Sequence, residues 1–91
     1  MGLKRTLQIT NVRGLHARAS RKLAEIALAF EGTTITVRRE DEEADARSLM
    51  DLMMLGAGLG SEIEVSADGP EAGAALDAIE ALVAAKFDEG E

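Results

Sequence analysis

The apolar residues of this 91-residue chain change their spacing repeatedly, from every second position to every third or fourth and back, and that alternation dictates the kind of fold it can form. Residues 3–10 set Leu3, Leu7 and Ile9 on one side and Lys4, Thr6, Gln8 and Thr10 on the other, a half-buried strand broken only by Arg5. After Asn11-Val12-Arg13-Gly14 the step lengthens: Leu15, Ala19, Leu23, Ile26 and Phe30 form a helical stripe, with Arg18, Arg21, Lys22 and Glu25 mostly on the wet side. Gly32 ends that helix, and the β-branched run Thr33-Thr34-Ile35-Thr36-Val37 begins a second strand with Ile35 and Val37 inward. Residues 40–43 read as an acidic turn and residues 43–46 as a short third strand. A short helix over residues 48–55 is opened by Ser48 and closed by Gly56. A fourth strand covers residues 61–67, with Ile63 and Val65 inward. The last helix starts at Asp68-Gly69-Pro70-Glu71, with the proline in its first turn, and carries the stripe Ala75, Leu76, Ile79, Leu82, Val83 and Phe87.

The order strand, helix, strand, strand, helix, strand, helix specifies an α+β, two-layer sandwich in which three helices cover one face of a four-stranded, mainly antiparallel sheet. Several topologies satisfy that order, the ferredoxin-like one included. The length supports one domain, residues 1–91, with no linker and no repeat beyond a loose βαβ duplication. Aromatic content of 2% makes the core aliphatic and removes base-stacking platforms, and a net charge of -7 argues further against nucleic acid as a partner. No apolar stretch approaches the roughly 20 residues of a membrane span. The N-terminus lacks a signal-peptide core and there is no cysteine, so a cytoplasmic protein is expected. The charge is unevenly divided: residues 1–39 hold eight basic and two acidic side chains, the remainder two and fifteen. Such a division predicts an electropositive face suited to an anion or an acidic partner, if the fold gathers those cations.

Chemistry has few places to reside. The sole histidine, His16, falls where the first loop turns into the first helix. There it can act merely as a cap or a solvated side chain. The same place is an anion cradle: the amides of Ala17 and Arg18 lack helical partners and the Arg18 guanidinium reaches the same spot. A positive helix end disfavours the imidazolium, leaving a neutral nucleophile equipped to accept a phosphoryl group and, since a phosphoramidate is labile, to pass it on. Ser48-Leu49-Met50-Asp51-Leu52-Met53-Met54-Leu55 is apolar on nearly every side, more than a short helix can bury, so part of it is expected to face a partner. Gly56-Ala57-Gly58-Leu59-Gly60 fits neither the dinucleotide fingerprint nor a P-loop and reads as a flexible connection. Glu40, Asp41, Glu42, Glu43 and Asp45 lack the glycine and terminal glutamate of a calcium loop, and one His without Cys supplies no zinc site.

Gly14-Leu15-His16-Ala17-Arg18 resembles the active-site segment of the HPr family, the histidine phosphocarriers of the bacterial phosphoenolpyruvate-dependent phosphotransferase system. Ala46-Arg47-Ser48-Leu49-Met50 resembles that family's regulatory-serine segment, and length and element order match its open-faced β-sandwich. The resemblance implies that His16 is phosphorylated by phospho-enzyme I and donates to an enzyme IIA-type protein. It further implies that Arg18 and the Ala17 amide steady the phosphoryl oxygens, that Asn11 orients near the site, and that Ser48 is a substrate for an HPr kinase/phosphorylase, although a plain N-cap explains Ser48 equally well. Partners would dock on Asn11, Leu15, Leu49, Met50 and Met53; the protein would be a monomer that needs no cofactor or metal and is not itself an enzyme. The acidic C-terminal half and the Met-rich short helix resemble the nitrogen-related branch. One departure is Ala19, where the family usually has proline; a looser first turn should alter rate or partner choice and leave competence intact. Two other functions stay open on the residues: a regulatory module that docks stoichiometrically, switched at Ser48 or His16, and a small phosphohydrolase using Arg18 as an anion clamp.

Overall fold

In a computed structural model, which describes residues 2–89, the chain folds as β1 (Gly2–Gln8), α1 (Ala17–Ala29), β2 (Thr34–Arg39), β3 (Glu42–Asp45), α2 (Leu49–Met54), β4 (Glu62–Asp68) and α3 (Ala72–Ala84), followed by a 3-10 turn over Lys86–Asp88. The sheet order is β1-β4-β2-β3 and every pair is antiparallel. The α+β sandwich read from the periodicity is therefore the fold, with β4 central between β1 and β2. α3 lies against β1 and β4, α1 against α2 and α3, and α2 against β3.

Alternation of side chains decides which face is covered. Ile35, Val37, Ile63, Val65 and Ala67 point under the helices and are almost wholly buried. On the opposite, open face Lys4 and Thr36 both stand opposite Ser66, and Arg38 opposite Glu64. The helices contribute Ala19, Leu23, Ala27, Leu52, Ala75, Leu76 and Ile79, so the core is aliphatic except for Phe87.

Three expectations are corrected. Leu3 is 49% exposed, because β1 is an edge strand and its side chain meets α3 at the small Gly73 of the first turn. Arg5, the break in the alternation, shares the inner face with Leu3 and Leu7, and its guanidinium reaches Asp77 at 2.7 Å and Glu80 at 2.9 Å on α3, so a cation stands where the edge of the core meets water. The last helix stops at Ala84, and Pro70 precedes it instead of lying in its first turn. Lys86, Phe87 and Asp88 then take left-handed backbone angles with φ of 55°, 54° and 62°, which turns the Phe87 ring into the core.

Nor do the cations gather on one face. Lys4 is on the open sheet near Glu64, Arg5 is engaged by α3, Arg21 pairs with Glu25, Arg38 donates to the Glu40 carbonyl and Arg39 to the Leu55 carbonyl. The antiparallel sheet disperses what the sequence concentrates, and only Arg13, Arg18 and Lys22 remain close to the start of α1.

Candidate functional site

The loop before α1 is fixed by backbone contacts that only its sequence allows. Gly14 has φ +65°, and a Cβ there would lie 2.4 Å from the Ala57 carbonyl oxygen and 2.7 Å from the Gly58 Cα. That close approach lets the Leu15 amide donate to the Ala57 carbonyl at 2.9 Å, tying the loop to the connection after α2. Asn11, completely buried, donates from Nδ2 to the Gly14 carbonyl at 2.9 Å and so closes the turn from within.

His16 is the N-cap residue of α1: its extended backbone accepts from the Ser20 amide at 2.8 Å, and its Nδ1 accepts from the Arg18 amide at 3.3 Å. The cap is thus a half-buried imidazole whose Nδ1 is turned towards the first turn of α1. The amides of Ala17 and Ala19 lie in the first turn, where no helical acceptor exists. Arg18 is exposed, and its guanidinium makes no hydrogen bond or ion pair with another described residue. His16, Ala17 and Arg18 follow one another at this helix start, with the amino end of a thirteen-residue helix beside Nδ1 and the Arg18 guanidinium exposed.

The other ring nitrogen has a partner that no local pattern in the chain foretells. Nε2 contacts the carboxylate of Glu89, whose second oxygen accepts from Asn11 Nδ2 at 3.0 Å. The two side chains of that pair are 18% and 11% exposed, so the contact is largely shielded from water. Lys22 pins the same segment, donating from Nζ to the Phe87 carbonyl at 3.0 Å and lying 3.5 Å from the Asp88 carboxylate. Nothing in the periodicity marks Glu89, because it reaches the site through a left-handed turn beyond the last helix.

The Asn11 amide, before all, and then the hydrogen bond to His16 hold the Glu89 carboxyl below its ordinary range, against a desolvation that pushes upward; Arg13 adds a smaller attraction. A lowered carboxyl pKa means that the contact contributes stability above the ordinary carboxylate value and loses it as pH falls through the lowered one. Acidification through that range is expected to release residues 86–89: amide exchange at Asp88 and Glu89 should accelerate while the sheet stays protected. Unchanged exchange there would contradict the assignment of this contact.

Two expected docking residues are corrected. Leu15 is 5% exposed, since the tie to Ala57 turns its side chain into the core, and Asn11 is consumed inside the loop. Neither offers surface to a partner. Leu49, Met50 and Met53 are 38%, 64% and 39% exposed, joined by Met54 at 72%, while Leu52 and Leu55 take up the buried side of α2. Ser48 caps this helix, its Oγ accepting from the Asp51 amide at 3.2 Å. Ser48→Ala is accordingly expected to cost about 1 kcal/mol in chemical denaturation; a change within error would mean that the cap contributes nothing.

An open-faced, antiparallel α+β sandwich that presents a histidine at the amino end of its first helix defines the class of histidine phosphocarriers. The family profile described as PTS HPr component phosphorylation site matches residues 3–85. The chain is 45% identical over 89 residues to the phosphocarrier protein HPr of Cupriavidus necator, covering 98% of this chain and 99% of that one. It is 48% identical over 87 residues to the phosphocarrier protein NPr of Shewanella violacea, covering 96% and 94%. Among solved structures, HPr-C-His from Thermoanaerobacter tengcongensis superposes with a TM-score of 0.90 at 32% identity, over 96% of this chain and 97% of that one. The chain belongs to the HPr family of phosphocarrier proteins, and its role is that of a phosphocarrier of the phosphotransferase system. Among its described residues no helix is long and apolar enough to cross a membrane.

Proposed function

We propose that this protein carries a phosphoryl group on Nδ1 of His16, taken from phospho-enzyme I and passed to an enzyme IIA-type acceptor. The observation that carries the reading is the placement of Nδ1: a nitrogen that accepts from the Arg18 amide, at a long 3.3 Å, carries a lone pair and no proton, and it faces the first turn of α1. As the lone pair attacks phosphorus, the Arg18 amide is released from Nδ1 and negative charge on the transferring oxygens meets the Ala17 and Arg18 amides, held in place by the start of α1, and the exposed Arg18 guanidinium, which no contact with another described residue holds back. Positioning and charge neutralisation supply what such a transfer needs, so the reading calls for no metal or cofactor. The group remains transferable because the imidazole nitrogen is a good leaving atom.

Partners would dock on Leu49, Met50, Met53 and Met54, with Arg13 and Arg18 at the margin. Methionines suit a surface that must accept a donor and then an acceptor, because their flexible side chains adapt to each. Ser48 is the second position of interest. A phosphate there, at about -1.5 to -2 charge, would adjoin Asp51 and the exposed Met50 and weaken docking. The relatives at 45% and 48% identity carry the names of both branches, HPr and NPr. The acidic C-terminal half and the Met-rich α2 incline the reading towards the nitrogen-related one, acting in the cytoplasm as a monomer.

His16→Ala tests the role. In a relay of phosphoenolpyruvate, enzyme I and a IIA protein from the same organism, the variant should reduce phosphate reaching IIA to background. Control of a partner that persists in the variant would favour the stoichiometric regulatory module instead. Turnover of an acyl phosphate by the isolated wild-type protein would favour hydrolysis.

A further inference from the structure

The face of the His16 ring turned away from α1 has no role in the reading above, yet it is the more elaborately built side. Its partner, Glu89, arrives by three successive left-handed residues, Lys86 to Asp88, a conformation that L-amino acids adopt only at an energetic cost. That arrival is secured by the buried Phe87 ring, by Lys22 on the Phe87 carbonyl, and by Asn11 on one carboxylate oxygen. Asn11 Oδ1 is itself buried without a hydrogen-bond partner among the described residues, so the amide is oriented to serve its two acceptors with Nδ2.

We infer that Glu89 is a positioning residue for His16: by accepting the Nε2 proton, its carboxylate fixes the tautomer whose lone pair is on Nδ1 and keeps that proton on the ring throughout phosphoryl transfer. An ionised carboxylate is acceptor-only, so the contact requires Nε2 to carry hydrogen. The Arg18 amide selects the same tautomer from the opposite side, because Nδ1 must then accept. Two independent contacts thus agree on one arrangement of the ring.

The inference rests on the phosphocarrier reading and assigns a task to each atom. When the Nδ1–phosphorus bond forms, the bond from phosphorus to the donor's leaving atom breaks and its electron pair stays with the donor. The ring gains positive charge, which the Glu89 carboxylate balances without removing the Nε2 proton. In onward transfer the Nδ1–phosphorus bond breaks, the pair returns to Nδ1, and the ring leaves as a neutral imidazole. A phosphorylated ring that lost its Nε2 proton would have to leave as an anion and would hold the phosphoryl group far longer. Glu89 therefore keeps the carrier discharging.

The test is made on the full chain with ring-15N-labelled histidine. In unphosphorylated protein at alkaline pH, nitrogen shifts report the ratio of Nε2–H to Nδ1–H forms. Glu89→Ala should lower that ratio about tenfold, the scale of one hydrogen bond to a charged acceptor, and Glu89→Asp should restore part of it. Glu89→Gln, which can still accept but carries no charge, should keep the ratio nearer wild type while lengthening the lifetime of the phosphorylated protein several-fold. Phe87 shifts that stay in place show that the turn survives in each variant. A ratio unmoved in Glu89→Ala with the turn intact overturns the inference, as does a phosphorylated Glu89→Gln protein no longer-lived than wild type. Should wild type itself fail to accept phosphate, the carrier reading fails while the tautomer measurement still judges the contact.

Discussion

Gly14→Ala should destabilise this protein by about 3 kcal/mol or more and abolish its capacity to accept phosphate at physiological temperature. The left-handed angle costs an alanine about 1–2 kcal/mol. The larger part is steric, because the new Cβ would lie 2.4 Å from the Ala57 carbonyl oxygen, a backbone atom that moves only if the loop after α2 moves. Separating those loops breaks the Leu15–Ala57 hydrogen bond, about 1 kcal/mol more, and shifts the start of α1 on which His16 is mounted. Gly56→Ala provides the internal control, since its φ is +64° but nothing lies within 4 Å of an added Cβ. It should cost only the backbone share. Denaturant melts of the two variants compare the contributions directly, and equal losses would show that the close approach carries no energy.

Phe87→Ala is expected to cost about 3–5 kcal/mol, the range for removing a fully buried aromatic ring from a packed core. For a domain of this size that is a large share of the total stability. The ring also offsets the left-handed turn, so its removal should free residues 86–89 and withdraw Glu89 from His16. Two signals ought to change together: the melting temperature falls, and the His16 ring resonances move towards those of a solvated histidine. A protein that loses stability while His16 is unaffected would show that Lys22 and Asn11 hold Glu89 without help from the core.

Much of this was legible in the chain because burial on one side of a helix or strand imposes a period on the sequence. Ile35, Val37, Ile63 and Val65 announce the inner face of the sheet, and Gly14-Leu15-His16-Ala17-Arg18 announces a helix start bearing a nucleophile. What escaped has a common cause. Arg5 interrupts its strand for the sake of Asp77 and Glu80, more than seventy residues distant, and Glu89 reaches His16 from the other end of the chain. Contacts of that kind depend on tertiary geometry and leave no local pattern. Leu15 shows the converse error: its place beside His16 suggested a docking surface, whereas the Gly14 turn directs it inward. The concentration of cations in the first 39 residues likewise said little about surface charge, since antiparallel strands deliver successive segments to different faces.

Nδ1 of His16 is the atom proposed to accept the phosphoryl group. Incubating ring-15N-labelled protein with phosphoenolpyruvate and enzyme I of the same organism, and then recording 31P–15N couplings, tests it in one spectrum. A single acid-labile phosphate coupled to Nδ1 of His16, with Nε2 still protonated, is the expected result. Phosphate on Nε2, or on any residue other than His16, would contradict it.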